Sequence, residues 1–235
     1  MESANNVQVY AGGCLALKNA QKYLNNIPIK ELLYGVPDFG YNVEWQDKEQ
    51  RKFVFCMVGS VCKRKAQDIF LDAIEQLSFE EKDNVEFWII GDCLEMEYYS
   101  QIEERSKVIS GVKMLGSIDR MAMTQIYSSI DILVCPSRED PLPVVVVDAM
   151  ISKKPSIVST KTGYVDLLED KINGFICNAN DVFSLAEKMR WILNNKSDIK
   201  SIGENARQVY EEKFSMHVFE REIDNILDKA FNGIG

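Results

Sequence analysis

From residue 53 onward, short apolar runs alternate with stretches in which apolar residues return every three or four positions. The runs at 53–58, 85–90 and 112–115 are rich in β-branched and aromatic residues, and each stops at a glycine: Gly59, Gly91 and Gly116. Such runs read as strands, and a glycine directly after a strand lets the backbone turn sharply at the carboxyl edge of a sheet. Ile69, Phe70, Ala73, Ile74 and Leu77 fall on one helical face, which predicts a helix over 67–77 with Asp68, Asp72 and Glu75 turned outward. Residues 131–135 and 156–158 read as further strands and 121–128 as a helix. Val182, Leu185, Ala186, Met189, Ile192 and Leu193 form an apolar stripe opened by the capping candidates Asn180 and Asp181, and 204–213 and 216–231 are helical in composition. This alternation predicts an α/β fold with a parallel sheet covered on both faces.

The first fifty residues do not share the rhythm. Residues 16–24 suit a short helix and 29–33 a short strand, followed by Tyr34-Gly-Val-Pro-Asp38 and a polar, mobile stretch through Gln50. They read as a connecting segment rather than a second core.

Composition narrows the chemistry. The 235 residues are 46% hydrophobic and 27% charged, as expected of a soluble globular chain, and 36 acidic against 27 basic residues leave a net charge of −9. That balance argues against a surface built to collect nucleic-acid phosphates, so any anion site must be local. No apolar run approaches the roughly 20 residues of a membrane span, and Met1-Glu2-Ser3 opens without a signal-peptide pattern. The expectation is a cytoplasmic chain, compatible with peripheral association at the membrane inner face. Six cysteines without a CxxC pair read as free thiols, and the single histidine, His217, reads as structural, leaving no zinc-binding set. Trp45, Trp88 and Trp191 fit a linker anchor, a strand core and a helix stripe.

Two segments carry candidate chemistry. After Gly59 come Ser60 and then Lys63, Arg64 and Lys65, placed just before a predicted helix, where free backbone N–H groups and cationic side chains suit phosphate; a solvated charged loop fits the same spacing. The second segment is 135–150, in which Asp140 and Asp148 are eight apart. A helix starting near Pro143 would set one carboxylate before it and the other inside it, able to hold several hydroxyls of one ligand. The four valines at 144–147 point instead to a buried strand, and propensity alone leans that way. Arg138 and Glu139 border this loop, either bonding each other, supporting Asp140, or lying exposed, while Asp92 reads as a turn residue.

Gly59 with Lys65, Gly91-Asp92, Leu115-Gly116, Pro136-Ser-Arg-Glu-Asp-Pro-Leu-Pro143 and Asp140 with Asp148 follow in an order and spacing that resembles glycosyltransferase family 4. These are the group 1 retaining enzymes of GT-B fold, and the resemblance is to their nucleotide-sugar-binding half, over about residue 29 to the C-terminus. It implies a Rossmann-like doubly wound sheet and a helix, not a strand, at the valines. It implies that Lys65 binds the donor diphosphate and steadies charge on the leaving group, and that Asp140 attends the sugar. Asp148 would hold the ribose hydroxyls, with amides of Leu142 and Val144 on sugar or phosphate oxygens and Met114, Leu115 and Gly116 under the base. Gly59, Ser60 and Arg64 would border the diphosphate, and Gly163 matches a glycine turn of the family. Both family glutamates are aspartates here, and Ser60 stands where the family often has arginine.

The resemblance further implies that 1–50 is a hinge segment from the end of an N-terminal acceptor domain, 51–215 the donor domain, and 216–235 a helix crossing back to the acceptor domain. The expected function is donor binding for hexosyl transfer from a nucleoside diphosphate sugar to a glycan or lipid-linked acceptor in polysaccharide biosynthesis. No metal or other cofactor is expected, and this chain alone would be inactive without the N-terminal domain or a partner subunit. The alternative is a noncatalytic nucleotide-binding or subunit-docking module, motivated by the departures at Ser60, Asp140 and Asp148.

Overall fold

The computed structural model describes residues 9–12, 14–24, 27–39 and 51–232. Six strands, β3 (Phe53–Val58), β4 (Val85–Ile90), β5 (Val112–Gly116), β6 (Ile132–Cys135), β7 (Ser156–Ser159) and β8 (Phe175–Cys177), form one parallel sheet in the order β5-β4-β3-β6-β7-β8. The chain winds outward one way from β3 to β5, then returns to pair β6 with β3. This is the doubly wound, Rossmann-like arrangement, and its direction reverses between β3 and β6. At that reversal the loops after the two strands diverge and leave a crevice at their carboxyl ends.

Strand alternation divides the core into two layers. Phe55, Met57, Phe87, Ile89, Ile132 and Val134 face α2 (Gln67–Glu75), α4 (Met96–Val108) and α7 (Val182–Asn194). Val54, Cys56, Leu133, Cys135 and Val158 face α5 (Arg120–Ser129), α6 (Val144–Ile151) and α8 (Ile199–Lys213). Helix α3 (Phe79–Lys82) is a single turn opened by a capping box between Ser78 and Glu81. Asp181 caps α7, as one of the two predicted candidates, and Asp119 caps α5 by accepting from the Met121 and Ala122 amides.

The segment before the sheet holds β1 (Val9–Ala11), α1 (Cys14–Gln21) and β2 (Ile29–Glu31), a parallel pair joined by a helix. Residues 32–39 then run along the six-stranded unit. The Val36 amide donates to the Phe214 carbonyl, and the Tyr210 hydroxyl donates to the Val36 carbonyl. Helix α9 (Met216–Asn232) follows immediately, and its Phe219 lies close against Gly35. The stretch 40–50, with Trp45, lies outside the described residues.

Several expectations change. The valines form α6, against their strand propensity and as the family resemblance implied, while Pro143 is the residue before the first helical position rather than that position itself (φ −67°, ψ 115°). Helix α2 ends at Glu75, two residues early. Asp68 is only partly exposed: its carboxylate accepts from the two terminal guanidinium nitrogens of Arg138 (3.0 and 2.7 Å) and from the Tyr98 hydroxyl (2.7 Å). Asp72 and Glu75 share Arg105. Cys56, Cys62, Cys93, Cys135 and Cys177 are free thiols, all buried except Cys93; the Cys14 side chain lies outside the described residues.

Candidate functional site

At the switch point the loop after β3 meets the loop after β6. Gly59 leaves β3 with φ +142°, and Gly91 leaves β4 with φ +154° so close beneath it that a Cβ at position 91 would lie 2.0 Å from the Gly59 carbonyl oxygen. Only glycine allows that approach. One 3₁₀ turn, Lys63–Lys65, and a left-handed Ala66 (φ 66°) then lead into α2. This returns Lys65 over Gly59, whose hypothetical Cβ would stand 3.4 Å from Lys65 Cε.

The ammonium of Lys65 donates to Asp140 Oδ2 at 2.6 Å, with both side chains largely buried. Arg64 reaches the same oxygen at 3.2 Å and donates to the Glu139 carbonyl, its side chain half exposed. The three cations therefore part company. Lys65 and Arg64 face the crevice, whereas the backbone carbonyl of Lys63 accepts from Arg138. Arg138 thus neither bonds Glu139 nor touches Asp140; it ties the two loops together from behind, through Asp68 and the Lys63 carbonyl.

Asp140 is held from the other side by residues 159–163. Its amide donates to the Lys161 carbonyl and its carbonyl accepts from the Gly163 amide, each at 3.0 Å. A Cβ on Gly163 would fall 1.6 Å from the Pro141 carbonyl oxygen, so the loop passes over this glycine in contact. Beyond it, Pro141 and Pro143 lack amide hydrogens and Pro143 offers no capping side chain, so α6 begins with uncapped N–H groups at Val144 and Val145, while the Val146 amide donates to the Pro143 carbonyl.

Asp148 sits one turn into α6, mostly buried, and no hydrogen-bond donor meets its carboxylate among the described residues. Burial raises its pKa to about 6, against a smaller pull downward from Arg120. Asp148 and Asp140 both lie near enough to Tyr34 for their charges to add to the burial that chiefly raises its pKa. Sequence reasoning did not single out Tyr34. It comes from the connecting segment, far from every motif, and only the chain's return along α6 places its hydroxyl 3.3 Å from the Leu142 carbonyl.

Of the remaining site residues, Ser60 lies beside the glycine turn with its carbonyl accepting from Gln67. Met114 packs inward on the α2 and α4 layer, so it offers the crevice edge only backbone, while Leu115 is exposed and Gly116 (φ +67°) turns in open space. The Gly116 carbonyl accepts from the Gly91 amide, joining this edge to the central turns. Asp92 follows the Gly91 exit from β4 with its carbonyl accepting from the Val61 amide, next to the Val61–Cys93 bridge, and His217 is exposed in the first turn of α9.

The sequence profile of the Glycosyl transferases group 1 family matches residues 43–209. A protein of Methanocaldococcus jannaschii described as an uncharacterized glycosyltransferase, MJ1178, is 28% identical over 175 residues, covering 74% of this chain but 44% of that protein. The chain thus spans less than half the length of this curated relative. Among solved structures, Anabaena HepE in complex with UDP superposes with a TM-score of 0.81 at 21% identity, over 94% of this chain and 64% of that one. The C-terminal domain of LpcC from Francisella tularensis, a glycosyl transferase group 1 family protein, superposes with a TM-score of 0.65 at 20% identity, over 78% and 96%. These likenesses show the GT-B type of fold. Among the described residues no helix is long and apolar enough to cross a membrane.

Proposed function

We propose a donor-binding role from one premise, that the chain belongs to the Glycosyl transferases group 1 family. In this reading it is the nucleotide-sugar-binding half of a retaining glycosyltransferase that moves a hexosyl group from a nucleoside diphosphate sugar to a glycan or lipid-linked acceptor. The observation that carries the proposal is the meeting of Lys65, Arg64 and the uncapped start of α6 around Asp140 at the switch point of the sheet. Cations and free amides converging on one point suit a diphosphate.

As the bond between the anomeric carbon and the β-phosphate oxygen breaks, negative charge gathers on the departing diphosphate. Lys65, Arg64 and the amides of Leu142 and Val144 stand where that charge would develop, which lowers the barrier without a metal ion. An acceptor hydroxyl replaces the diphosphate at the anomeric carbon on the same face, giving retention, and its proton leaves with the diphosphate. Gly59 and Ser60 border the phosphates, Asp140 attends the sugar, Asp148 takes the ribose hydroxyls, and the 114–116 edge carries the base. The acceptor belongs to a second α/β unit, in the same protein or a partner subunit, working in the cytoplasm or at the membrane inner face. The 235-residue chain alone has no transfer activity in this account.

Isothermal titration of the chain with UDP, GDP and ADP tests the reading, with UDP first because HepE was crystallised with it. Lys65→Ala should weaken the best of these ligands by about 10- to 100-fold, the range expected for one charge-assisted hydrogen bond. No binding by the unaltered chain, or equal binding after the substitution, rejects it. Binding without any transfer when an acceptor-binding unit is supplied would favour the docking-module alternative.

A further inference from the structure

We infer that Tyr34 is a positioning residue for the sugar end of the donor, acting through the backbone of Leu142. The inference rests on the donor-binding reading above and adds a residue outside every motif that supports it.

The hydroxyl of Tyr34 lies 3.3 Å from the Leu142 carbonyl oxygen and 3.1 Å from the hydroxyl of Tyr164. A carbonyl can only accept, so Tyr34 spends its one hydroxyl hydrogen on Leu142. The contact with Tyr164 must then run from Tyr164 to Tyr34. Tyr164 is fully buried, directly follows Gly163, and has this contact for its hydroxyl. The proton order is thus fixed along a line: Tyr164, Tyr34, Leu142.

Leu142 needs such a tie. It stands between Pro141 and Pro143, neither of which has an amide hydrogen, and immediately before the uncapped first turn of α6. Upstream the loop is fixed at Asp140 by Lys161 and Gly163; downstream the Pro143 carbonyl accepts from Val146. The Leu142 carbonyl lies in the peptide plane that enters Pro143, and the Val144 amide lies one plane further on; between them the proline ring holds φ and the bond from Val146 holds the Pro143 carbonyl, so a shift at Leu142 is passed on to the Val144 amide. A displacement there of even part of an ångström would misdirect amides that face sugar or β-phosphate oxygens. It would leave the Lys65 ammonium and the Asp148 carboxylate in place.

The rings make the role separable from folding. Tyr34 packs at 6.2 Å and Tyr164 at 5.7 Å from Phe214, at the junction of α8 and α9, so phenylalanine at either position keeps the aromatic packing. Tyr34→Phe alone strands the buried Tyr164 hydroxyl and should lower stability, whereas Tyr34→Phe with Tyr164→Phe removes both polar groups and should recover it.

The test measures, on the 235-residue chain, the affinity for whichever of UDP, GDP or ADP binds best and for its glucose conjugate, alongside thermal unfolding. In Tyr34→Phe the preference for the sugar conjugate should fall about three- to tenfold, the range of one neutral hydrogen bond, with nucleoside diphosphate affinity falling less because Lys65 and Arg64 still hold its phosphates. In the double variant the unfolding temperature should return toward that of the parent while the preference stays lost. Equal loss for both ligands, no loss for either, or recovery of the preference with stability would each overturn the inference. Failure of the unaltered chain to bind any of the ligands would instead defeat the donor-binding reading, and this inference with it.

Discussion

At the scale of single residues, the two aspartates of the crevice differ in what neutralises them. Asp140 is saturated by Lys65 and Arg64, while Asp148 is mostly buried and has no donor on its carboxylate among the described residues. For Asp148 the folded pKa of about 6 lies above its ordinary 3.8, so the folded state holds the proton more tightly than the unfolded chain. Below about pH 4 both states are protonated and nothing is lost. Between about pH 4 and 6 stability falls as pH rises, and above that range the full cost applies, roughly 2–3 kcal/mol. Thermal unfolding of Asp148→Asn across pH 4 to 8 should show a flatter profile and a more stable protein at neutral pH; an unchanged profile would refute the assignment. Since ribose hydroxyls donate to the ionised form, nucleotide affinity in the unaltered chain should weaken as pH drops below about 6. Asp140 yields the opposite expectation: its carboxylate competes with a diphosphate for the same two cations. Asp140→Asn should therefore tighten nucleoside diphosphate binding by about fivefold, a modest gain because the cations exchange one anionic partner for another. Titration calorimetry showing unchanged or weaker binding would contradict it. Chemical type and spacing made Lys65, Asp140 and Asp148 readable in the sequence. Tyr34 was not, because its partners lie 108 and 130 positions away and nothing local marks it.

At the scale of elements, α6 shows where local and tertiary preferences part. Four β-branched residues in a row lose side-chain freedom in a helix, yet Val146 and Val147 are fully buried against the sheet and the run continues into a buried Ala149, Met150 and Ile151. Burial on a helical face outweighs propensity, and only the wider order of motifs anticipated it. Strands ending at glycine and helices with clean apolar stripes were legible for the converse reason, since local pattern and packing agree. Helix α4 and strand β8 escaped notice: α4 buries only Tyr98, Ile102 and Ser106, and β8 is three residues long. Two substitutions separate elements that shape the site from those that only support it. Gly163→Ala places a methyl group on the Pro141 carbonyl and should displace the 140–143 loop, weakening donor binding by at least about tenfold. Asp181→Ala removes the cap of α7, which follows the edge strand β8. It should cost about 1 kcal/mol, or about 2–4 °C in unfolding temperature, with donor affinity unaltered. Calorimetry of both variants against the same nucleotide distinguishes them, and equal binding losses would refute the division.

At the scale of the whole molecule, the six-stranded unit and the 9–31 segment stand on different footings. In the larger sheet, strands β3, β4, β6 and β7 each have a neighbour on both sides and helices on both faces. Among the described residues, the β1–β2 pair has one partner strand each, three residues in register, and α1 as the helix beside it, although a parallel pair is the kind of sheet that needs cover on both faces. Nothing in the pattern of residues 1–50 revealed β1, because three residues are too few to show a period. Opening of this segment should therefore cost far less than unfolding of the core, as local contacts and buried area dictate. Hydrogen exchange followed by mass spectrometry should find the amides of 9–31 exchanging early and those of β3, β4, β6 and β7 protected to the global limit. Residues 33–36 should be protected with the core, since Val36 is bonded to Phe214 and Tyr210 while Tyr34 is bonded to Leu142. Early exchange at 33–36 would mean that the connecting segment moves independently of the donor crevice, and would remove the physical basis for any coupling between the two.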